Sequence, residues 1–217
     1  MADFAQRRRT MVDTQIRPSD VTSFTVIDAM LAIPREAFVP ADARDLAYVG
    51  GPVPLTATRQ LMEPRTIAKM LEALDITPAD LVLEIAPGMG YTTALMARMA
   101  EAVVAVEEDA SLARDAEVAL SAQEVDNAAI LTGALAEGSA RNGPYDAIVL
   151  FGGVEQVPQA ILEQLKEGGR IIALFMQGPL GEVRKGVKTH GIVSWHMEFN
   201  ATAPVLPGFV RTPGFVF

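Results

Sequence analysis

The segment VLEIAPGMGY, residues 82–91, decides the fold of this chain. An apolar run that ends at Ile85 is followed by a turn with Gly88 and Gly90, and then by a stretch with helical spacing from Thr92. A strand, a glycine-containing turn and a helix in this order bring ligand atoms against bare backbone and the free N–H groups of a helix N-terminus. The segment therefore predicts the first strand–turn–helix unit of an α/β fold.

The chain beyond this segment repeats the alternation of short apolar runs and amphipathic stretches. Strands buried on both faces are predicted at 81–85, 103–106, 128–131, 147–151 and 170–175, and helices at 92–99, 111–123 and 157–165. This alternation indicates a doubly wound, mostly parallel, Rossmann-like sheet covered by helices on both faces. Two more strand candidates, 183–189 and 193–199, flank His190-Gly191 and predict a C-terminal hairpin at one sheet edge.

The N-terminal part of the chain has a different character. Helices are predicted over 3–16, over a second segment capped by Thr22 or Ser23 and ended by Pro34, and over 65–74, with a long irregular stretch from 39 to 64. A length of 217 residues fits one domain. We divide that domain into a helical and loop extension (1–78), a Rossmann-like core (79–199) and an apolar tail (200–217).

Composition argues against several classes of partner. A net charge of −9 repels phosphate backbones, so nucleic acid is not expected to bind. No apolar run reaches the roughly 18 residues of a membrane span, and the arginines at 7–9 are not followed by the apolar segment of a signal peptide. The absence of cysteine favours a cytoplasmic location, and with only two histidines we expect no metal site.

Glu107 lies 17 residues beyond Gly90, at the end of the second predicted strand. A carboxylate there can accept hydrogen bonds from both hydroxyls of a ribose, so the turn and the acid together indicate an adenosine-containing ligand. A single Gly-x-Gly is by itself equally compatible with a tight structural turn. A dinucleotide fold would carry a third glycine where Thr92 or Thr93 stands. S-adenosylmethionine is therefore the favoured ligand. The alternative is a nucleotide cofactor, which would make the protein a nucleotide-dependent oxidoreductase.

Five blocks of the sequence, in the same order, resemble the protein-L-isoaspartate O-methyltransferases. They are residues 11–17, 33–40 (IPREAFVP), 82–91, 144–149 (PYDAIV) and 157–170. The resemblance implies a cytosolic class I methyltransferase that depends on S-adenosylmethionine. It also implies carboxyl methylation of damaged proteins, with a protein or peptide carboxylate at an isoaspartyl residue as the substrate.

The resemblance also implies a set of site residues. Family members carry Gln-Thr-Ile-Ser-Gln-Pro where this chain has RQLMEP, residues 59–64. Gln60 and Met62 thus stand, as replacements, at the two catalytic hydroxyl positions near the transferred methyl group. Ala86 replaces the first glycine of the turn, and Ala134 replaces an Asp that contacts the adenine amino group. The implied cofactor-binding positions are Leu61, Glu84, Ala86, Gly88, Gly90, Glu107, Glu108, Ala134 and Leu135.

These replacements keep a second function open. The alternative to the methyltransferase is a cofactor-binding relative that has lost isoaspartyl activity and acts as a sensor or scaffold. Methylation of an already ionised carboxylate needs no general base, so catalysis depends mainly on alignment and desolvation. Because the missing hydroxyls would weaken that alignment, we expect weak or absent turnover of isoaspartyl peptides.

Two charged residues near the site each have two interpretations. Arg59 either clamps a carboxylate with both of its terminal nitrogens or lies on the surface. Glu84 either meets the cofactor or acts as an acceptor at a strand end or helix N-terminus.

The tail from 201 to 217 carries one charge, Arg211, among apolar residues and three prolines. The prolines prevent a helix or a central strand, and the apolar side chains need cover from water. We predict an extended tail that docks either on its own body or on a second subunit, so a homodimer formed through the tail is possible.

Overall fold

The computed structural model describes residues 3–211. Its N-terminal part begins with α1 (Phe4–Met11), which continues through a wide π-type turn (Val12–Ile16). The next helix is α2 (Phe24–Ala32), and its N-cap is Ser23, whose hydroxyl accepts the Val26 N–H at 3.4 Å. Of the two predicted caps, Ser23 is therefore the correct one.

The stretch from 39 to 64 is irregular, as predicted, but contains two strands that the sequence pattern does not reveal. The two-residue strands β1 (Val53–Pro54) and β2 (Gln60–Leu61) pair antiparallel, with Val53 opposite Leu61. The helix α3 (Pro64–Leu74) follows directly. The loop between β1 and β2 is thereby held at the start of α3.

The remaining chain forms one seven-stranded sheet. Its strands are β3 (Leu81–Ile85), β4 (Ala102–Glu107), β5 (Ala128–Thr132), β6 (Tyr145–Val154), β7 (Leu165–Gln177), β8 (Leu180–Thr189) and β9 (Ile192–Ala201). The strand order is β5-β4-β3-β6-β7-β8-β9. The first five strands in this order run parallel to one another, and β8 and β9 add the antiparallel hairpin at one edge. The predicted doubly wound α/β fold and its C-terminal hairpin are confirmed.

Three helices connect the parallel strands: α4 (Tyr91–Ala97), α5 (Ala110–Ala122) and α6 (Gln159–Glu163). The predicted extent of the last helix, 157–165, is wrong. Pro158 is its N-cap, and Leu165 already belongs to β7, where it pairs with Tyr145. Across residues 3–211 no helix is long and apolar enough to cross a bilayer.

Burial follows position in the sheet. The central strands β3, β4 and β6 are buried almost throughout, because helices cover both faces. Strand β5 lies at the edge, and of its five residues only Ile130 is buried. The prediction that 128–131 is buried on both faces is therefore wrong for this edge strand.

The apolar tail docks on its own body over the residues that the structure describes. Leu206 and Phe209 are buried, and the Phe209 carbonyl accepts the backbone N–H groups of Glu155 and Gln156. Val205 forms a parallel bridge with Gly153 at the end of β6. The predicted docking is confirmed for 201–211, whereas Phe215, Val216 and Phe217 lie outside the described residues. A homodimer formed through the tail stays a prediction.

Candidate active site

The sheet order reverses at β3, so the carboxyl ends of β3, β4 and β6 meet where open α/β sheets bind ligands. The turn after β3 has left-handed backbone at Ala86 (φ 68°), Gly88 (φ 60°) and Gly90 (φ 89°). A Cβ atom at Gly90 would lie 3.2 Å from the Cβ of Ala116. Glycine there lets α4 approach α5, whereas the left-handed alanine carries a conformational cost of about 1 kcal/mol.

Glu107 ends β4 directly against this turn and is fully buried. Its Oε2 atom accepts the N–H of Gly88 at 3.0 Å. Its Oε1 atom accepts the N–H groups of Glu108 and Asp109 at 3.0 and 3.1 Å. The structure thus brings together the glycine turn and the acid, the two features whose spacing indicated an adenosine site.

A third group completes this contact: the guanidinium of Arg59. Its Nη1 and Nη2 atoms donate to Oε1 and Oε2 of Glu107 at 2.9 and 2.8 Å, and both side chains are buried. Arg59 therefore clamps a carboxylate and does not lie on the surface. The carboxylate is the protein's own, 48 residues away in the sequence, which spacing alone could not reveal.

We call residues 55–61, which carry this arginine, the Arg59 loop. The loop is closed by hydrogen bonds from the N–H groups of Leu55 and Thr56 to the Arg59 carbonyl, at 2.9 and 3.1 Å. The Arg59 N–H in turn donates to Oγ1 of Thr56 at 3.1 Å. Leu55 lies so close to the turn that a Cβ atom at Gly88 would be 2.6 Å from its Cδ1.

The space beside the turn is consequently small. The cavity between the Arg59 loop, Gly88 and Phe151 has a volume of about 10 Å³, and its neighbour beside Gly152 and Leu206 has about 20 Å³. Such volumes admit about one water molecule. The acceptor and the turn suit an adenosine-containing cofactor chemically, but with the Arg59 loop in this position the cofactor does not fit.

Glu84 is buried in β3, and the hydroxyls of Thr92 and Thr93 on α4 donate to its two carboxylate oxygens, the latter at 2.5 Å. Burial raises the pKa of this carboxyl to about 7, although the two hydroxyls oppose the shift. Glu84 thus ties the strand to the first turn of the helix. A direct contact between Glu84 and a cofactor stays a prediction.

The other predicted positions differ in burial, and Gln60 is half-buried. Leu61, Met62 and Leu135 are buried, whereas Glu108 and Ala134 are exposed. Gln60 and Met62 also line a groove of about 760 Å³ that continues past Arg65 to the hairpin and the tail. These two positions therefore separate the small cavity from an open groove.

Arg35 is a site residue that sequence reasoning missed, although it lies in the block IPREAFVP. It is fully buried and donates to the carbonyls of Ala47 and Met62, each at 2.7 Å. Its guanidinium lies 4.9 Å from the ring centroid of Tyr91, and burial lowers its pKa to about 10. Arg35 fixes the backbone that leads from the Arg59 loop into α3.

The doubly wound sheet, the helical N-terminal extension, and the glycine turn against a strand-terminal acid define the Rossmann-like methyltransferase class. Within that class the chain belongs to the protein-L-isoaspartate(D-aspartate) O-methyltransferase family, whose model matches residues 6–190. The family uses S-adenosylmethionine as its methyl donor.

Individual relatives agree with this assignment. The chain is 38% identical to the protein-L-isoaspartate O-methyltransferase of Koribacter versatilis over 172 residues, which are 79% of this chain and 78% of that protein. It is 39% identical to the enzyme of Syntrophus aciditrophicus, over 79% of each chain.

Solved structures confirm the fold. A protein-L-isoaspartate O-methyltransferase structure superposes with a TM-score of 0.81 at 24% identity, covering 93% of this chain and 66% of that one. A Plasmodium falciparum protein described as a putative protein-L-isoaspartate O-methyltransferase, in complex with S-adenosyl-L-homocysteine, superposes with a TM-score of 0.80 at 18% identity. The superposition covers 95% of this chain and 99% of that one.

Proposed function

We propose that this protein is an S-adenosylmethionine-dependent O-methyltransferase that methylates carboxylates of isoaspartyl residues in damaged proteins. The observation that carries the proposal is the match to the family over residues 6–190, combined with Glu107 lying against Gly88 at the switch point of the sheet. The proposed cofactor-binding positions are Leu61, Glu84, Ala86, Gly88, Gly90, Glu107, Glu108, Ala134 and Leu135.

The substrate side of the site is proposed to be the groove beside Gln60 and Met62. Gln60 and Arg65 provide hydrogen-bond donors on its wall, beside the carboxylate of Glu63, whose Oε1 lies 3.7 Å from Nε of Arg65. These donors suit a peptide that carries a carboxylate. An ionised carboxylate is its own nucleophile, so the chain needs to supply alignment and exclusion of water, not a general base. Met62 is buried and offers no hydroxyl for that alignment.

Calorimetry with S-adenosylmethionine and S-adenosylhomocysteine, followed by methyl transfer to an isoaspartyl peptide, tests the proposal. The same peptide with normal aspartate is the control substrate. We expect Glu107→Ala to abolish or greatly weaken cofactor binding, because both ribose hydroxyls lose their acceptor. A Glu107→Ala protein that binds like the parent would place the site elsewhere.

The two replaced positions provide a second test of the same proposal. If alignment limits the reaction, the double variant Gln60→Thr/Met62→Ser should turn over the isoaspartyl peptide faster than the parent. Transfer to the normal peptide at the same rate as to the isoaspartyl peptide would argue against isoaspartyl carboxylates as the substrate.

A further inference from the structure

We infer that Arg59 is an internal competitor of the cofactor: its guanidinium holds the place on Glu107 that the ribose hydroxyls would take, so the Arg59 loop has to leave before the cofactor binds. The inference rests on the proposed function, because it concerns the control of the same site. Its basis is the set of contacts around a single buried carboxylate.

The hydrogen-bond capacity of Glu107 is full. The carboxylate accepts three backbone N–H groups and two guanidinium N–H groups, while two carboxylate oxygens offer about four lone-pair sites. Hydroxyls of a ribose can join only by replacing some of these donors. The backbone donors belong to the turn and the end of β4, whereas the guanidinium belongs to the Arg59 loop, which lies outside the seven-stranded sheet.

The Arg59 loop also occupies the space beside Gly88. Leu55 covers Gly88 from the same loop, and only about 10 Å³ remains between the loop and the turn. Leu55 and Arg59 are joined by a backbone hydrogen bond at 2.9 Å. The side chain over the turn and the side chain on the acid therefore leave together when the loop opens.

The exchange of partners is balanced at Glu107. Two guanidinium donors leave and two ribose hydroxyls can replace them, while the three backbone donors keep the buried carboxylate in place. What opposes binding is the closed loop, because the Arg59 guanidinium has to leave Glu107 and Leu55 has to leave Gly88. The apparent affinity for the cofactor is then the intrinsic affinity multiplied by the fraction of molecules in which the loop is open.

A purely structural ion pair and an internal competitor predict opposite results for Arg59→Ala. Loss of a structural pair would leave cofactor affinity unchanged or weaken it. Loss of a competitor would tighten it by the ratio of the two open fractions, which is about tenfold if the loop is open in about one parent molecule in a hundred and about one variant molecule in ten. The three backbone donors continue to satisfy Glu107 in the variant, so the site remains formed.

Isothermal titration of the full chain with S-adenosylhomocysteine is the direct test. Arg98→Ala is the matched control, because it removes an arginine–carboxylate pair, to Asp28 at 3.1 Å, on the exposed surface. We expect a tenfold or larger decrease in Kd for Arg59→Ala and no change for Arg98→Ala. An equal or larger Kd for Arg59→Ala than for the parent would overturn the inference.

Two further measurements guard against a poorly folded variant. Leu55→Ala should also lower the Kd for S-adenosylhomocysteine, but by a smaller factor than Arg59→Ala does. Hydrogen exchange of the parent should become faster at the paired residues Val53 and Leu61 when S-adenosylhomocysteine binds, because the opening Arg59 loop carries β2 away from β1. Slower exchange at these residues in the complex would contradict an opening loop.

The outcomes also separate this inference from the proposed function. Tighter cofactor binding by Arg59→Ala without methyl transfer to the isoaspartyl peptide would refute the function and support the competitor. Methyl transfer by the parent, together with equal cofactor affinities of the parent and Arg59→Ala, would support the function and refute the competitor. Absence of binding to the parent, Arg59→Ala and Leu55→Ala would refute both.

Discussion

Glu84→Gln should remove a pH dependence that this buried carboxyl gives to protein stability. Burial raises the pKa of Glu84 to about 7 in the folded protein, whereas 4.5 is its ordinary value. Between these two values the folded protein holds a proton that the unfolded chain has released. The free energy of unfolding therefore falls as the pH rises through this window, because folding then requires either protonation or a buried charge.

The magnitude follows from the two pKa values. The stabilisation linked to the proton is fully present below about pH 4.5 and is lost as the pH rises through about 7. Since a pKa difference of one corresponds to about 1.4 kcal/mol, the contribution of Glu84 decreases by about 2–3 kcal/mol between pH 5 and pH 8. Glutamine is neutral throughout this range, and its amide can pair with the hydroxyls of Thr92 and Thr93 after they reorient.

Urea unfolding at several pH values between 5 and 8 measures this effect. The quantity to follow is the free energy of unfolding of Glu84→Gln minus that of the parent, because other titrating groups cancel in the difference. We expect the difference to rise by about 2–3 kcal/mol over this range. Glu117→Gln, the same substitution at an exposed position of α5, is the control. A difference for Glu84→Gln that changes no more with pH than that for Glu117→Gln would refute the reasoning.

Two further predictions concern the turn and the tail. Ala86→Gly should raise the free energy of unfolding by about 0.5–1 kcal/mol in urea, because glycine adopts φ 68° without a clash. Ala119→Gly, inside α5, should lower it by about 1 kcal/mol. A destabilised Ala86→Gly would contradict the assigned turn. Phe209→Ala should cost about 3–5 kcal/mol and lower the melting temperature by roughly 10 °C, against little change for the exposed Val210→Ala. Equal melting temperatures for these two variants would show that the tail does not dock.

The strands of the core could be predicted because their signal is local. Each central strand is a mainly apolar run, as expected for a sheet buried on both faces. The strands β1 and β2 could not be found in this way, since two residues carry no period. The end of α6 was also hidden, because Leu165 leaves the helix to pair with Tyr145, a contact that only the assembled sheet supplies.

The site was predictable only where the topology fixes it. Parallel neighbours end at the same edge, so the turn after β3 and the acid at the end of β4 had to lie close together, as Gly88 and Glu107 do. No such rule locates Arg59, because it lies on a loop between two very short strands and its partner is 48 residues away. The same applies to Leu55, whose apolar side chain is ordinary in sequence and matters only through the glycine it covers.

Cofactor binding requires the Arg59 loop to open, so it depends on the strength of the interactions that keep this loop closed. A buried ion pair contributes little net stability compared with apolar groups of the same volume, but removing one partner alone costs about 3–5 kcal/mol. Ribose hydroxyls would avoid that cost at Glu107, so the packing of Leu55 and the short β1–β2 pairing remain to be overcome. A ligand at 100 times its Kd supplies about 2.7 kcal/mol, comparable to the roughly 1.5–3 kcal/mol of burying one leucine side chain. Because Leu55 is only half-buried, its packing contributes less than this full value, and we expect S-adenosylmethionine to be able to displace the Arg59 loop.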